Sequence, residues 1–392
     1  MKRRHILASL PALLASPALA APAKKLRVAV IGHTGRGNYG HGLDTMWQHI
    51  PAVEVAAVAD ADEKGLAGAV KKLGLKSGFA DYKTMLAEVK PDIVAIGPRH
   101  IDQHRDMLLA SIQAGARGIY IEKPFCRSPQ EADEVITAAD KTGAKIAVAH
   151  RNRYHPVMPR ITQLIKDGAI GRVLEMRARG KEDQRGGSLD LWVLGTHLFN
   201  IATFFAGPPV ACSATVLQDG RPVTKADVKE GDEGIGALAG NEVHARFEMT
   251  SHVPLFFDSI QNAGDKEASF GLQIIGTKGI IDFRIDKEPF AHICLGSPFN
   301  PFAKEPRVWQ PVTTGGIGVP EPVAGLGKQL SSHETAGLDL IAAIQENRLP
   351  LCDAASARET IEMACSIFES HRLGGQRVPF PLRTRVNPLT LL

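Results

Sequence analysis

An acid, a base and a proline, Glu122-Lys123-Pro124, close the apolar run "GIYI" of residues 118–121. Charge at the mouth of a buried strand is costly unless it is paired or meets a ligand. A second candidate is the glycine turn Gly32-His33-Thr34-Gly35-Arg36-Gly37, which follows the apolar run "LRVAVI". It departs from the G-x-G-x-x-G spacing, with Thr at 34 and an additional Gly at 35. Between a strand and a helix, such a turn offers free backbone N–H groups to a pyrophosphate. Asp60 ends the next apolar run. A carboxylate there can accept hydrogen bonds from both ribose hydroxyls of an adenosine and repel a 2′-phosphate, which predicts NAD rather than NADP. A plain turn residue before Ala61-Asp62 is the alternative for Asp60. His100 and His104 have the i, i+4 spacing of metal ligands on a helix. His100, however, falls in the loop after "AIGP" and no third ligand is suggested, so no metal is expected and a solvated or cofactor-edge position is predicted for the pair.

Five Val- and Ile-rich runs position these residues: 26–32, 53–60, 92–97, 118–124 and 145–150. Runs apolar on both faces and separated by helical patterns predict a parallel sheet covered on two sides. The helix after Glu122 is the clearest. Ser128 caps it, Pro129 fits its first turn, and Glu131 completes a capping box. Ala132, Val135, Ile136 and Ala139 repeat at helical spacing, and Gly143 ends it. The helix before that strand carries Met107, Leu108 and Ile112 and ends at Gly115. Such units make a doubly wound α/β fold, in which ligands sit beyond the carboxyl ends of the strands. Past residue 150 the chain is strand-rich, apart from helices predicted at about 157–167, 188–205, 333–347 and 355–372.

With 392 residues, 44% apolar and 22% charged, the chain reads as a soluble two-domain protein. Of its net charge of +4, Lys2, Arg3 and Arg4 supply most. The near-neutral remainder has no general field for nucleic acid or a membrane surface, so small-molecule ligands are expected. The five cysteines are scattered, without a CxxC pair, and are expected to be buried rather than bridged. Residues 1–20 have a basic start, a short apolar stretch and Ala18-Leu19-Ala20 as a small-x-small cleavage site. Arg3-Arg4 ahead of that stretch predicts a signal of the twin-arginine type and a periplasmic or secreted protein exported folded. An ordinary secretory signal is the alternative. No later segment is expected to span a membrane.

"IEKPF", the glycine turn and "AVAHRNRYHP" together resemble the Gfo/Idh/MocA oxidoreductases, as do "GGSLDLWVLGTHLFNIATFFAG", "IIGTKGIID" and "SIFESHRLGGQRVPFPL". The resemblance covers nearly the whole chain after the signal. It implies a Rossmann NAD(P)-binding domain over residues 25–150 and a C-terminal substrate-binding and oligomerisation domain over 151–392. The latter is implied to be α/β, with a large open, mainly antiparallel sheet, and a homo-oligomer is implied with it.

The resemblance also implies roles. Lys123 binds the reacting hydroxyl and assists its proton loss, and Glu122 orients Lys123. Pro124, after a cis bond, turns the lysine into the cleft. Gly32, Thr34, Gly35, Arg36, Gly37, Asp60, Pro98, His100, Glu122 and Lys123 line the NAD. His197 matches the histidine of a D-x-G-x-H pattern, but the aspartate of that pattern is Val193 here. Asp190, about 10 Å away along a helix axis, is the replacement considered, with a catalytic and a capping role equally open. Arg153 and Tyr154 are expected in the cleft on the substrate, with Lys181, Asp183 and His197. The function implied is hydride transfer between a nicotinamide cofactor and a sugar or sugar derivative. A redox-neutral glycoside hydrolase using tightly bound NAD is the alternative, and a non-catalytic sugar-binding protein the third reading.

Overall fold

A computed structural model describes residues 24–265 and 270–392. The signal and its twin-arginine pair lie outside the described residues.

Strands β1 (Leu26–Ile31), β2 (Val53–Ala59), β3 (Ile93–Ile96), β4 (Gly118–Ile121) and β5 (Lys145–Val148) form one parallel sheet in the order β2-β1-β3-β4-β5. Their near-continuous burial is what a sheet covered on both faces requires. The connecting helices are α1 (Glu63–Leu73), α2 (Tyr82–Val89), α3 (His104–Gln113) and α4 (Pro129–Thr142). Ser128 caps α4 through Glu131 N, and Gly143 ends it in the left-handed region. The Glu131 carboxylate takes Arg127 N and its guanidinium instead of closing a capping box.

The helix expected after the glycine turn does not form. Gly35, Gly37, Asn38, Gly40 and Gly42 all have positive φ, between 54° and 94°. Residues in that region cannot propagate a right-handed helix. The chain instead runs through successive turns to a short 3-10 helix, Met46–His49.

The second half opens with α5 (Val157–Lys166) and β6 (Val173–Arg179). It builds an eleven-stranded sheet in which β6 pairs parallel with Leu255–Ile260 and every other pairing is antiparallel. Helix α6 (Ser188–Ala206) lies beneath it, with Phe199 edge-on to Phe247 and tilted against Phe257. Contrary to expectation, α6 is long and apolar enough to cross a membrane by length and composition, but most of it is buried as a core helix. Its middle turn, Leu191–Gly195, is π-helical.

The two sheets do not have wholly separate cores. The helix Glu334–Glu346 returns to the first sheet and packs Ala336, Leu340 and Ile341 against Val28, Val30, Trp47 and Tyr120. Helix Ala354–Arg372 joins the halves from the other side, through Arg358 and Glu362 in an ion-pair cluster with Asp133 of α4 and Arg385. All five cysteines are buried and free.

Candidate functional site

The site lies at the carboxyl ends of β1, β3, β4 and β5, where α6 of the second half meets them. The glycine turn is closed on itself: His33 and Asn38 pair through backbone hydrogen bonds of 3.0 Å. Gly37 rests on Arg99, whose amide would lie 2.3 Å from a side chain there. Arg36 forms an ion pair with Asp102, and His33 Nδ1 lies 2.7 Å from Gln103 Oε1. The segment after β3 therefore clasps the turn. At Gly35 nothing lies within 4 Å of where a Cβ would project, while its N–H donates to Asn38 Oδ1 at 3.0 Å.

Asp60 points inward rather than outward. Its carboxylate accepts from Thr34 N (3.1 Å), Thr34 Oγ1 (2.7 Å) and Asp62 N (3.0 Å) and is 1% exposed. Burial alone would raise its pKa, but the hydrogen bonds from Asp62 and Thr34 outweigh this and hold it below the usual value. Asp60 is thus an ionised brace for the turn, and its oxygens are already occupied where ribose hydroxyls were expected. Tyr39 completes the brace: its ring lies over Gly32, and burial together with the facing Asp60 pushes the phenol pKa up.

His104 is also a brace. Its ring nitrogens lie 2.8 Å from Pro98 O and 2.9 Å from Pro124 O, fully buried, so it ties the ends of β3 and β4 together instead of sitting in solvent or on a cofactor edge. Pro98 takes part through that carbonyl. His100 stays in the loop, at the N-cap of the short turn Ile101–Gln103. Among the described residues no group of three His, Cys, Asp or Glu could hold a metal ion.

At the end of β4 the Lys123–Pro124 bond is cis. Glu122 does not turn to the lysine ammonium. Oε1 accepts from His41 N (2.9 Å) and lies 2.7 Å from His41 Nδ1, while Oε2 takes the backbone N–H of Lys123 (3.1 Å). Burial opposes its ionisation, yet the His41 hydrogen bond and the charges of His41 and Lys123 draw the pKa down to about 2. Glu122 therefore fastens the strand end to the glycine turn and fixes the Lys123 backbone. The lysine itself is buried, and Nζ donates to Val193 O at 2.7 Å. Burial lowers its pKa, opposed by the charges of Glu122, Glu233 and Asp286.

That contact explains Val193. The carbonyl of this residue, in the π-helical turn of α6, receives the lysine, so the position offers Lys123 a neutral hydrogen-bond acceptor in place of a carboxylate. A π-turn re-spaces the i→i+4 ladder and is a common device at functional sites. One turn on, His197 packs edge-on against His150, with ring centroids 5.5 Å apart at 88°. His197 Nδ1 and both nitrogens of His150 are buried without a hydrogen-bond partner. Burial, then the Lys123 charge, lowers the pKa of both rings, to about 3 for His150 and well below the ordinary value for His197. Lys123, His150 and His197 thus form a cluster of nitrogen bases with no carboxylate among them. His150 was missed in the sequence, although its position two residues past β5 is the signal that could have found it. Also missed was the ion pair of Arg151 with Asp286, two residues whose charges act on His197 and Lys123 respectively.

Other candidates are placed elsewhere. Asp190 Oδ2 accepts from Ser259 Oγ (2.6 Å) and Glu182 N (3.0 Å), so it pins the turn after β6 to the strand Leu255–Ile260 rather than serving His197. Replacing it with Ala strands a buried hydroxyl and a backbone N–H, and the expected loss is about 2–3 kcal/mol of stability. A lower thermal midpoint with unchanged KM would be the signature. Arg153 donates to Asn200 O (2.6 Å) and stacks 4.7 Å over Phe204, while Tyr154 donates to Asp339 (3.0 Å). Both are thus engaged in packing between the halves, Arg153 close enough to His150 for its charge to lower that ring's pKa. Lys181, Asp183 and Arg185 form a local turn network.

The residues present fit a dinucleotide at two places. The open space at Gly35 lets a diphosphate come close to the turn, whose N–H there is shared with Asn38 Oδ1, and the nitrogens of His150 and His197 Nδ1 by Lys123 have no hydrogen-bond partner. Asp60 is not available for the ribose in this arrangement.

Residues 26–150 match the family model described as an oxidoreductase family with an NAD-binding Rossmann fold, Gfo/Idh/MocA. Levoglucosan dehydrogenase of Pseudarthrobacter phenanthrenivorans is 24% identical over 320 residues, covering 72% of this chain and 80% of that one. D-apiose dehydrogenase of Paraburkholderia graminis is 26% identical over 215 residues; the match spans only about half of each protein, 52% of this chain and 56% of that one. Among solved structures, levoglucosan dehydrogenase in complex with NADH and levoglucosan superposes with a TM-score of 0.70 at 19% identity, over 91% of this chain and 100% of the other. That likeness is one of fold.

Proposed function

We propose, from the premise that this chain belongs to the Gfo/Idh/MocA oxidoreductases through its NAD-binding domain at residues 26–150, that it transfers hydride between NAD and a carbon-bound hydroxyl of a sugar or sugar derivative. The observation that carries this reading is Lys123: a buried amine at a strand end, fixed by Val193 O at 2.7 Å, beside two uncharged imidazoles. Bound NAD supplies the nicotinamide ring that takes the hydride. Lys123, with one hydrogen committed to Val193 O, directs another at the alcohol oxygen. His197, kept neutral by burial, accepts the hydroxyl proton as the C–H pair leaves, and returns it in the reverse direction. Binding in the cleft between the halves excludes water from these groups and strengthens each interaction. The sugar class is supported by the levoglucosan and apiose dehydrogenases.

The test is to mix purified protein with NAD+ and levoglucosan, apiose, xylose or a methyl glucoside and follow NADH fluorescence. Formation of NADH with one of them is expected. Cleavage of the glucoside with solvent deuterium entering the sugar and no net NADH would replace this reading by the redox-neutral one. Neither signal with any sugar would remove the enzymatic reading.

Export belongs to the same proposal. Residues 1–20 carry the paired arginines and the Ala18-Leu19-Ala20 site. Recovery of the protein from the periplasm with those residues removed is expected, abolished by replacing Arg3-Arg4 with Lys-Lys.

A further inference from the structure

His333 comes from the second half of the chain but sits against the end of β4. It precedes the helix Glu334–Glu346 in a left-handed conformation, φ 64°, and is 3% exposed. Its Nδ1 lies 2.7 Å from the hydroxyl of Tyr120. Tyr120 is fully buried, edge-on to Trp47, and burial pushes its phenol pKa well up. The phenol therefore keeps its hydrogen and donates it, which makes Nδ1 the acceptor. Burial also lowers the pKa of His333 to about 4, so near neutral pH the ring carries one hydrogen, and that hydrogen is on Nε2. Nε2 is buried and has no partner. The structure thus holds an N–H donor of fixed tautomer aimed at no acceptor.

Its position says what the acceptor is. Tyr120 in β4 and Glu122, the residue that follows β4 and still bonds through its N–H to Ile96 O of β3, are two apart and so share a face. Glu122, one residue before Lys123, is the carboxylate that acts most strongly on His333. Both Glu122 oxygens already accept, from His41 and from the Lys123 backbone. Through Tyr120 the donor is thus held at the end of the strand that carries Lys123, the end at which the reading above brings alcohol and nicotinamide together. The ring carbon that exchanges hydride is bonded to the carbon bearing the carboxamide. We propose that His333 Nε2–H donates to the carboxamide oxygen of the bound nicotinamide, with Tyr120 setting the tautomer. His333 would then read the cofactor's reactive end from the second half of the chain. This rests on the NAD reading above.

The test compares NADH with ADP-ribose, which lacks the nicotinamide, by calorimetry on the full chain. His333→Phe is expected to weaken NADH about tenfold, the size of one lost hydrogen bond, and to leave ADP-ribose within about twofold. Tyr120→Phe, which frees Nδ1 and unfixes the tautomer, is expected to give a smaller loss confined to NADH. ADP-ribose binding also reports that each variant is folded. An equal loss for both ligands, or no loss for NADH, overturns the assignment while the NAD reading stands. Failure of the unmodified protein to bind either ligand overturns both.

Discussion

Lys123→Met is expected to lower kcat/KM for sugar oxidation by about a thousandfold, within the range of 10²–10⁴ for a positioned proton-handling group, while NADH affinity changes little. Methionine keeps the length and apolar stem and removes only the amine. The loss then falls on the two tasks assigned to Nζ, holding the alcohol oxygen and easing departure of its proton. Val193 O loses its hydrogen bond, so a stability cost of about 1 kcal/mol accompanies the change. The size of the effect follows from the environment. Nζ is bonded to a carbonyl rather than a carboxylate, and burial lowers its pKa. Asp190, the acidic side chain of α6, is held by Ser259 Oγ and Glu182 N and does not take over. Single-turnover reduction of NAD+ by a sugar active with the unmodified protein, with NADH titration alongside, makes the measurement. Unchanged turnover in Lys123→Met would remove Lys123 from the chemistry and revive a non-catalytic reading of the cleft.

The second large effect is on stability in acid. His104, His150, His197 and His333 are all buried with lowered pKa values, burial being the main cause in each. In the unfolded chain each takes up a proton near pH 6.5. The folded state does so only at lower pH, near 3 for His150 and 4 for His333. Between those values the unfolded state binds more protons, so stability is lost as pH falls below about 6.5. The slope is about 1.4 kcal/mol per pH unit for each ring. His150→Phe isolates one term. Neither nitrogen of His150 has a partner, so a phenyl ring of similar shape loses no hydrogen bond and removes two unsatisfied polar atoms. The variant is expected to be at least as stable as the parent at pH 7. Its stability on going to pH 5 should fall by about 2 kcal/mol less than the parent's. Thermal midpoints at the two pH values test this. Parallel declines in the two proteins would show that His150 is protonated in the folded state and not held neutral.

Much of this architecture is written in local sequence. The five apolar runs, the Ser128 cap, the Gly143 stop and the helix at 157–166 depend on residue periodicity and on backbone groups a few positions apart, which a linear reading can follow. The placing of Lys123 at a ligand-facing edge follows too, because the carboxyl ends of parallel strands are where such folds bind. The helix after the glycine turn was misread because a strand followed by glycines is the usual prelude to one. Here the left-handed residues continue through Gly42 and no helical turn can start. What remained illegible was which lone pair meets which hydrogen. Asp60 turns inward because Thr34 and Tyr39 fold over it, and Glu122 reaches back to His41. Val193 serves through a carbonyl that a π-turn presents, and a backbone atom has no letter in a sequence. His150 meets His197, and Tyr120 meets His333, across separations of 47 and 213 residues. The sequence determined the elements and the edge at which a ligand binds, because periodicity and capping act over short range. The hydrogen-bond partners and proton affinities of the site were decided only when the two halves packed together, because desolvation and pairing depend on neighbours that the chain order does not bring near.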